Sequence, residues 1–207
     1  MRVVCISDTH SMHRKLTVPD GDLLLHAGDI TSRGELSTLR DFDAWLSELP
    51  HADKAVIAGN HDFCFENHLE TEVRACLSHA TYLEDASCEV RNFEIYGTPW
   101  QPWFYDWAFN VASEDERREI WSRIPGDTDI LLVHGPPHRC GDRTAGGEYP
   151  GCKALRARSE EIAPRLVVAG HIHEDYGHFR IGDTQVLNAS SSTLGYRPVN
   201  PPIVIDI

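Results

Sequence analysis

The stretch VVAGHIHEDYG, residues 167–177, leaves an apolar strand-like run at a glycine and then sets His171 and His173 on either side of Ile172. In extended chain, residues two apart face the same side, so the two rings can converge on one point. An isolated pair of this kind fits a hydrogen-bonded surface or core pair as well as a pair of ligands. The rest of the chain separates the two readings.

Four more apolar runs of strand length lie upstream, at Val3–Ile6, Leu23–Leu25, Ala55–Ala58 and Ile130–Val133, and the quoted stretch grows out of a fifth, Leu166–Ala169. Near-continuous apolar runs suit strands covered on both faces. Each ends in residues able to hold a cation: Asp8 and His10, Gly28-Asp29, Gly59-Asn60-His61-Asp62, His134-Gly135, and Gly170-His171-Ile172-His173. In open α/β sheets the carboxyl ends of parallel strands share one crevice, which gathers groups far apart in sequence. The inventory is two carboxylates, Asp8 and Asp29, the amide oxygen of Asn60, and the imidazoles of His10, His134, His171 and His173, with no thiolate. Mixed oxygen and nitrogen donors favour borderline ions such as Mn, Fe, Co or Zn over a structural zinc built on cysteine. So many groups exceed what one such ion needs. Two divalent or mixed-valence ions about 3.5–4 Å apart, sharing a carboxylate, use them all, and paired metals of this kind perform in-line displacement at phosphorus.

With 207 residues, 41% of them hydrophobic, the chain is expected to form a single domain over 1–207. Leu36, Leu39, Phe42, Leu46 and Leu49 keep the spacing of a one-sided helix, and Ser113 with Glu116 predicts a capping box ahead of Ile120, Trp121 and Ile124. Strands alternating with helices predict an α/β class, with hairpins turning near Arg91-Asn92 and Gly182-Asp183. Gly135 to Cys152 is a long aperiodic loop, of a kind that is usually functional or disordered. Six cysteines without a C-x-x-C pair read as free thiols, and the apolar start is too short for a signal peptide, so a cytoplasmic protein is expected, with no membrane partner. The formal charge of −13 and the lack of any Lys/Arg run argue against a nucleic-acid polymer as partner. Oligomeric state is not encoded in any feature of this kind.

Taken in order, D-x-H, G-D, G-N-H-D, H and G-H-x-H resemble the calcineurin-like metallophosphoesterase superfamily, over a span from Asp8 to His173. The segments PDGDLLLHAGD, YGTPWQPWFYDWAFN, HGPP, LNAS and NPPIVIDI are similar to the small metallophosphoesterase-domain-containing proteins, related in motif to class III cyclic-nucleotide phosphodiesterases. The resemblance implies a metallophosphoesterase-type four-layer α/β/β/α sandwich with mixed sheets. It implies one metal held by Asp8, His10, Asp29 and His173, and another by Asp29, Asn60, His134 and His171. Protein phosphatases of the superfamily carry G-D-x-x-D-R-G, whereas this chain has GDITSRG, with Ser32 in place of the second acid. That departure weighs against a protein substrate.

The expected chemistry is hydrolysis of a small phosphodiester, with cyclic nucleotides as the leading class, by a metal-bridging hydroxide whose pKa the ions lower. The alternatives are a phosphomonoesterase or a metal- and nucleotide-binding scaffold. His61, next to ligand Asn60, is assigned to protonate the leaving oxygen or stabilise the phosphoryl group; its rival role is only to orient Asn60. Asn60, His61, His138, Arg139 and Arg143 are the expected substrate contacts. His26, in an apolar strand, reads as a hydrogen-bonded core residue. His13, His51, His68, His79 and His178 have surface-like neighbours and receive no role. Trp100, Trp103, Phe104 and Trp107 are expected to pack against a sheet edge rather than to stack on a base.

Overall fold

Consecutive residues of the first apolar run part company: Val3 and Cys5 join one buried cluster, Val4 and Ile6 another. That alternation organises the computed structural model, which describes residues 1–207. The elements in chain order are β1 (Arg2–Ile6), β2 (Leu23–Ala27), α1 (Leu36–Glu48), β3 (Asp53–Ile57), α2 (Cys64–Asn67), α3 (Glu70–Arg74), β4 (Thr81–Tyr82), β5 (Ala86–Val90) and β6 (Phe93–Thr98). They continue with β7 (Gln101–Pro102), β8 (Asn110–Val111), α4 (Glu114–Ser122), β9 (Ile130–Val133), α5 (Lys153–Ile162), β10 (Leu166–Ala169), β11 (Gly177–Ile181), β12 (Thr184–Asn188) and β13 (Ile203–Asp206).

Two mixed sheets result. The five-stranded one runs β13-β1-β2-β3-β4, parallel except for β13, and the six-stranded one runs β11-β12-β10-β9-β6-β5, with a parallel centre and an antiparallel hairpin at each edge. Their facing sides interlock Leu23, Leu25 and Ile57 with Ile130, Leu132, Leu166 and Val168. Leu39, Phe42, Trp45 and Leu46 of α1 cover the outer face of the first sheet, and Trp121, Ile124 and Leu155 in and around α4 and α5 cover that of the second. This is the four-layer α/β/β/α sandwich. Each central strand is buried on both faces because one meets a sheet and the other a helix, which is why its sequence is continuously apolar. One expectation changes: the five runs do not line one open sheet but divide three to two between the sheets, so the crevice lies where the ends of both sheets meet.

The local signals hold. Ser113 and Glu116 form the capping box, and the hairpins turn at Arg91-Asn92 and Gly182-Asp183, with Arg91, Asn92 and Gly182 all at positive φ. All six cysteines are unpaired. No helix is long and apolar enough to cross a membrane. Two histidines correct the surface assignment: His13 and His51 are 1% and 2% exposed. His13 packs edge-on against Phe42, 5.4 Å between ring centres, so its apolar neighbours come from α1 and not from its own stretch of chain.

Candidate metal centre

Asp8, Asp29 and Asn60 follow β1, β2 and β3, while His134 and His171 follow β9 and β10, so the two sheets deliver opposite walls of one cleft. Asp8, His10, Asp29 and His171 all sit at left-handed φ between 41° and 67°. Side chains other than glycine avoid this region, and clusters of such residues concentrate at functional sites. Glycine makes the close approach possible: a Cβ on Gly170 would overlap the Ser7 hydroxyl and the Asp8 carboxylate, and one on Gly59 would overlap Asp29.

Proton bookkeeping fixes which atoms are bare. A carbonyl oxygen can only accept, so His134 Nδ1 donates to Ala27 O at 2.9 Å, His173 Nδ1 to Thr193 O at 3.0 Å, and His61 Nδ1 to Ser32 O at 2.8 Å. In the neutral rings each Nε2 is then a lone pair turned into the cleft. His134 Nε2 meets Asn60 Oδ1 at 2.9 Å and Asp29 Oδ1 at 3.4 Å, three acceptors converging with no donor among them. On the other side His173 Nε2 lies 3.3 Å from Asp8 Oδ1 and 3.1 Å from His10 Nε2, and His10 Nε2 is 3.7 Å from Asp29 Oδ2. Asp29 stands between the two groups. Acceptors forced together repel unless a cation or proton lies between them, so this donor set fits metal ions. Three overlapping trios of groups able to hold a metal share this cleft: Asp8, His10, His173; His10, Asp29, His61; and Asp8, Asp29, His134. The His171 ring is absent from these trios but stands 5.1 Å from that of His134, and the backbone N–H of His171 donates to both oxygens of Asp8.

The acidities follow from crowding. Burial, then the charges of Asp8 and Asp62, push the Asp29 carboxyl well above its usual range. Burial works the same way on Asp8, but the imidazoles of His173, His134 and His10 overcome it and hold it low. Burial drives His10 down to about 3 and lowers His134 and His171, so these rings stay neutral and able to ligate. Burial opposes protonation of His173 too, yet Asp8 outweighs it and raises the pKa, the response expected of a lone pair held against a carboxylate.

Around the ligand groups stand residues whose part in the site the sequence did not reveal. Asp62 accepts from Gly59 N at 2.9 Å, Ile30 N at 3.1 Å, and both the N–H and the hydroxyl of Thr31 at 2.7 Å. It thereby ties the turn after β2 to the turn after β3. Trp107 lies over His61 with ring centres 4.1 Å apart at 31°, and Tyr196 stands edge-on to His10 at 4.9 Å and to His173 at 5.4 Å. His26 is the core residue expected, meeting the Thr9 hydroxyl at 3.0 Å and accepting from Gly28 N at 3.3 Å. The aromatic cluster splits: Trp100 packs on Phe109 and donates to Asp85, but Trp103 and Phe104 are 57% and 45% exposed, which corrects their placement against a sheet edge.

A cavity of about 470 Å³ opens over the cleft, reaching Asp29, Asn60, His61, His171 and His173 at its floor. The Gly135 to Cys152 loop forms part of its wall, through Thr144 and Glu148 among others. His138, Arg139 and Arg143 are not in that wall: His138 turns toward Asp142 at 3.7 Å, Arg139 lies over the Tyr149 ring at 5.2 Å, and the backbone of Arg143 is pinned to Asp175.

Known proteins share this sequence pattern and this fold. The family model described as calcineurin-like phosphoesterase matches residues 1–175. Human metallophosphoesterase domain-containing protein 1 is 41% identical, covering all of this chain and 71% of the relative. A UPF0046 protein of Caenorhabditis elegans is 33% identical, covering all of this chain and 75% of its own length. A solved protein of Thermus thermophilus shares the fold with a TM-score of 0.63 at 17% identity, over 90% of this chain and 88% of that one.

Proposed function

The chain belongs to the calcineurin-like phosphoesterase family, a family of phosphoric ester hydrolases, and from that premise we propose that it is a phosphodiesterase acting on small diesters, cyclic nucleotides foremost. The whole of 1–207 serves as one catalytic domain in a cytoplasmic setting. The observation that carries this reading is the convergence of His134 Nε2, Asn60 Oδ1 and Asp29 Oδ1, none of which donates to another, beside the convergence of Asp8, His10 and His173. Asp29 reaches both groups, so it would be shared by the two sets of ligands that would hold two cations drawn from Mn, Fe, Zn or Co.

When bound, such a pair neutralises phosphoryl charge and lowers the pKa of water toward neutrality. Asp8, His10, Asp29 and His173 would hold one ion, and Asp29, Asn60, His134 and His171 the other. In the net reaction a new P–O bond forms from water, the bond to one ester oxygen breaks, and that oxygen leaves as an alcohol carrying a proton. As the imidazolium, His61 supplies the proton or a hydrogen bond to the phosphoryl group: Ser32 O holds its Nδ1–H, Trp107 fixes its plane, and Nε2, the atom that takes up the second proton, faces the cleft 4.0 Å from Asp29. Asn60 and His61 at the floor of the cavity are also the substrate contacts that this reading retains.

The test is metal reconstitution followed by assay of an aryl phosphodiester, an aryl phosphomonoester and cyclic nucleotides. We expect close to two metal ions per chain, diesters preferred, and activity abolished in Asp29→Asn and strongly reduced in His61→Ala. Full turnover in both variants with metal present defeats the proposal.

A further inference from the structure

The floor of the cavity is polar, but its mouth is not. Trp103, Phe104, Leu194 and Tyr196 line it and are all large, apolar and 45–63% exposed. Large apolar side chains gathered around a concave opening mark a binding surface. They are also held in place. Trp103 N donates to Val111 O at 3.2 Å, Phe104 N donates to the Asn110 side chain at 3.0 Å, and that side chain donates back to Tyr105 O at 2.6 Å. Tyr196 sits at φ 55° in a turn closed by its own N–H to Thr193 O at 2.7 Å, the residue whose carbonyl also anchors His173. The backbone that carries the rings is therefore fixed in advance, which spares a ligand part of the entropy of ordering them.

The charge around this mouth is one-sided. No Lys or Arg lines the cavity, while Glu148 and Glu174 do. Glu174 is fixed by accepting from Ala145 N at 3.1 Å, and the backbone of Glu148 closes a turn with Thr144 that leaves its side chain exposed. The Arg33 guanidinium lies 6.0 Å from the Trp107 ring and outside the lining. A cavity cationic at a metal-loaded floor and anionic at its mouth accepts one phosphate and repels a second.

We propose that Trp103, Phe104 and Tyr196 form a subsite for one planar, uncharged ring of the substrate, a nucleobase or its like, and that Glu148 and Glu174 exclude a second anionic group. The proposal rests on the phosphodiesterase reading for the position of the phosphate. It narrows the substrate class to mononucleotide-like diesters carrying a single charge, and sets aside dinucleotides and substrates with a further phosphate.

The experiment compares three substrates of the metal-loaded protein: a cyclic adenosine monophosphate, the same cyclic ribose phosphate without its base, and the same nucleotide bearing a further phosphate on its free hydroxyl. The wild type should prefer the first by kcat/KM. In Trp103→Ala and in Tyr196→Ala the preference for the base-bearing over the base-free substrate should fall about tenfold, the worth of one stacked base. Glu148→Lys should improve the substrate with the further phosphate relative to the singly charged one. A separate titration uses adenosine, which carries no phosphate, and reads tryptophan fluorescence; quenching should occur in the wild type and be lost in Trp103→Phe. Equal kcat/KM with and without the base, or variants that slow both substrates in proportion, overturn the subsite while leaving phosphodiester hydrolysis intact. Adenosine quenching through Trp103 in a protein that hydrolyses no diester supports the subsite and removes the proposed activity instead.

Discussion

The floor and the mouth of the cavity are built on opposite principles. At the floor every imidazole whose Nδ1 faces a backbone carbonyl has its free nitrogen assigned, Asp62 ties neighbouring turns together, and the side chains are nearly all buried. At the mouth the side chains are exposed aromatics and carboxylates on loops. Groups that must hold charge against charge need a rigid surround. Groups that only offer a flat face or a like charge do not. Substitutions at the floor should therefore change the rate or the fold, and those at the mouth should change which substrate is chosen.

The largest expected effect is at the bridge. Asp29→Asn removes a charge from both proposed ion positions, and the loss of several kcal/mol of transition-state stabilisation lowers kcat about a thousandfold. Metal content measured on the purified variant should fall with it; a variant that keeps both ions and its rate would show that the floor does not depend on this carboxylate. Next comes the brace. Asp62→Asn turns an amide against some of four donors and should cost about 2–3 kcal/mol, which lowers Tm by roughly 5–10 °C in a chain of this size. An unchanged Tm would mean that the two turns hold without it.

Smaller effects refine the contrast. Trp107→Ala frees the His61 ring, and we expect about a tenfold loss with an alkoxide leaving group but little with a nitrophenolate, which needs no proton. A loss equal for both leaving groups would mark Trp107 as mere packing. Asp43 is a comparison brace outside the cavity, in α1, accepting from Ser78 N, His79 N and the Ser78 hydroxyl at 2.8 Å each. Burial works to raise its pKa, but the bonds from His79 and Ser78 win and lower it below 3.8. A carboxyl with a lowered folded pKa stabilises fully above its unfolded pKa, and that stability disappears as pH falls through the folded value. Asp43→Asn should therefore cost about 1 kcal/mol near neutral pH, with wild type and variant converging in acid unfolding curves. A constant gap down to strongly acid pH would contradict this.

Much of the floor was legible because strand ends leave a signature: an apolar run, a small residue, then Asp, Asn or His. The side chain after a buried strand has few directions open to it, so residue type and position together identify Asp8, Asp29, Asn60 and His134. Asp62 carried the same signal, lying within Gly59-Asn60-His61-Asp62, but its task is to accept backbone N–H groups from Ile30 and Thr31, which only the folded chain brings near. The mouth was not legible. A loop has no period, so nothing in the sequence says that Thr144 and Glu148 face the cavity while Arg139, at φ 58°, lies over Tyr149 instead. Tyr196 belongs to a tail segment whose approach to His10 depends on β13 pairing with β1. His13 failed for a related reason, since Trp45 and Phe42 reach it from a helix later in the chain.

One consequence follows from the division of the cleft between two sheets. Asp8, Asp29 and Asn60 hang from one layer and His134, His171 and His173 from the other. Cations seated there would act as a clasp joining halves that otherwise touch mainly through apolar side chains, and ions present at a hundred times their dissociation constant would add about 2.7 kcal/mol to the folded state. Chelation should then loosen the sandwich at its open end first, so resistance to heat and to proteases becomes a direct gauge of metal loading.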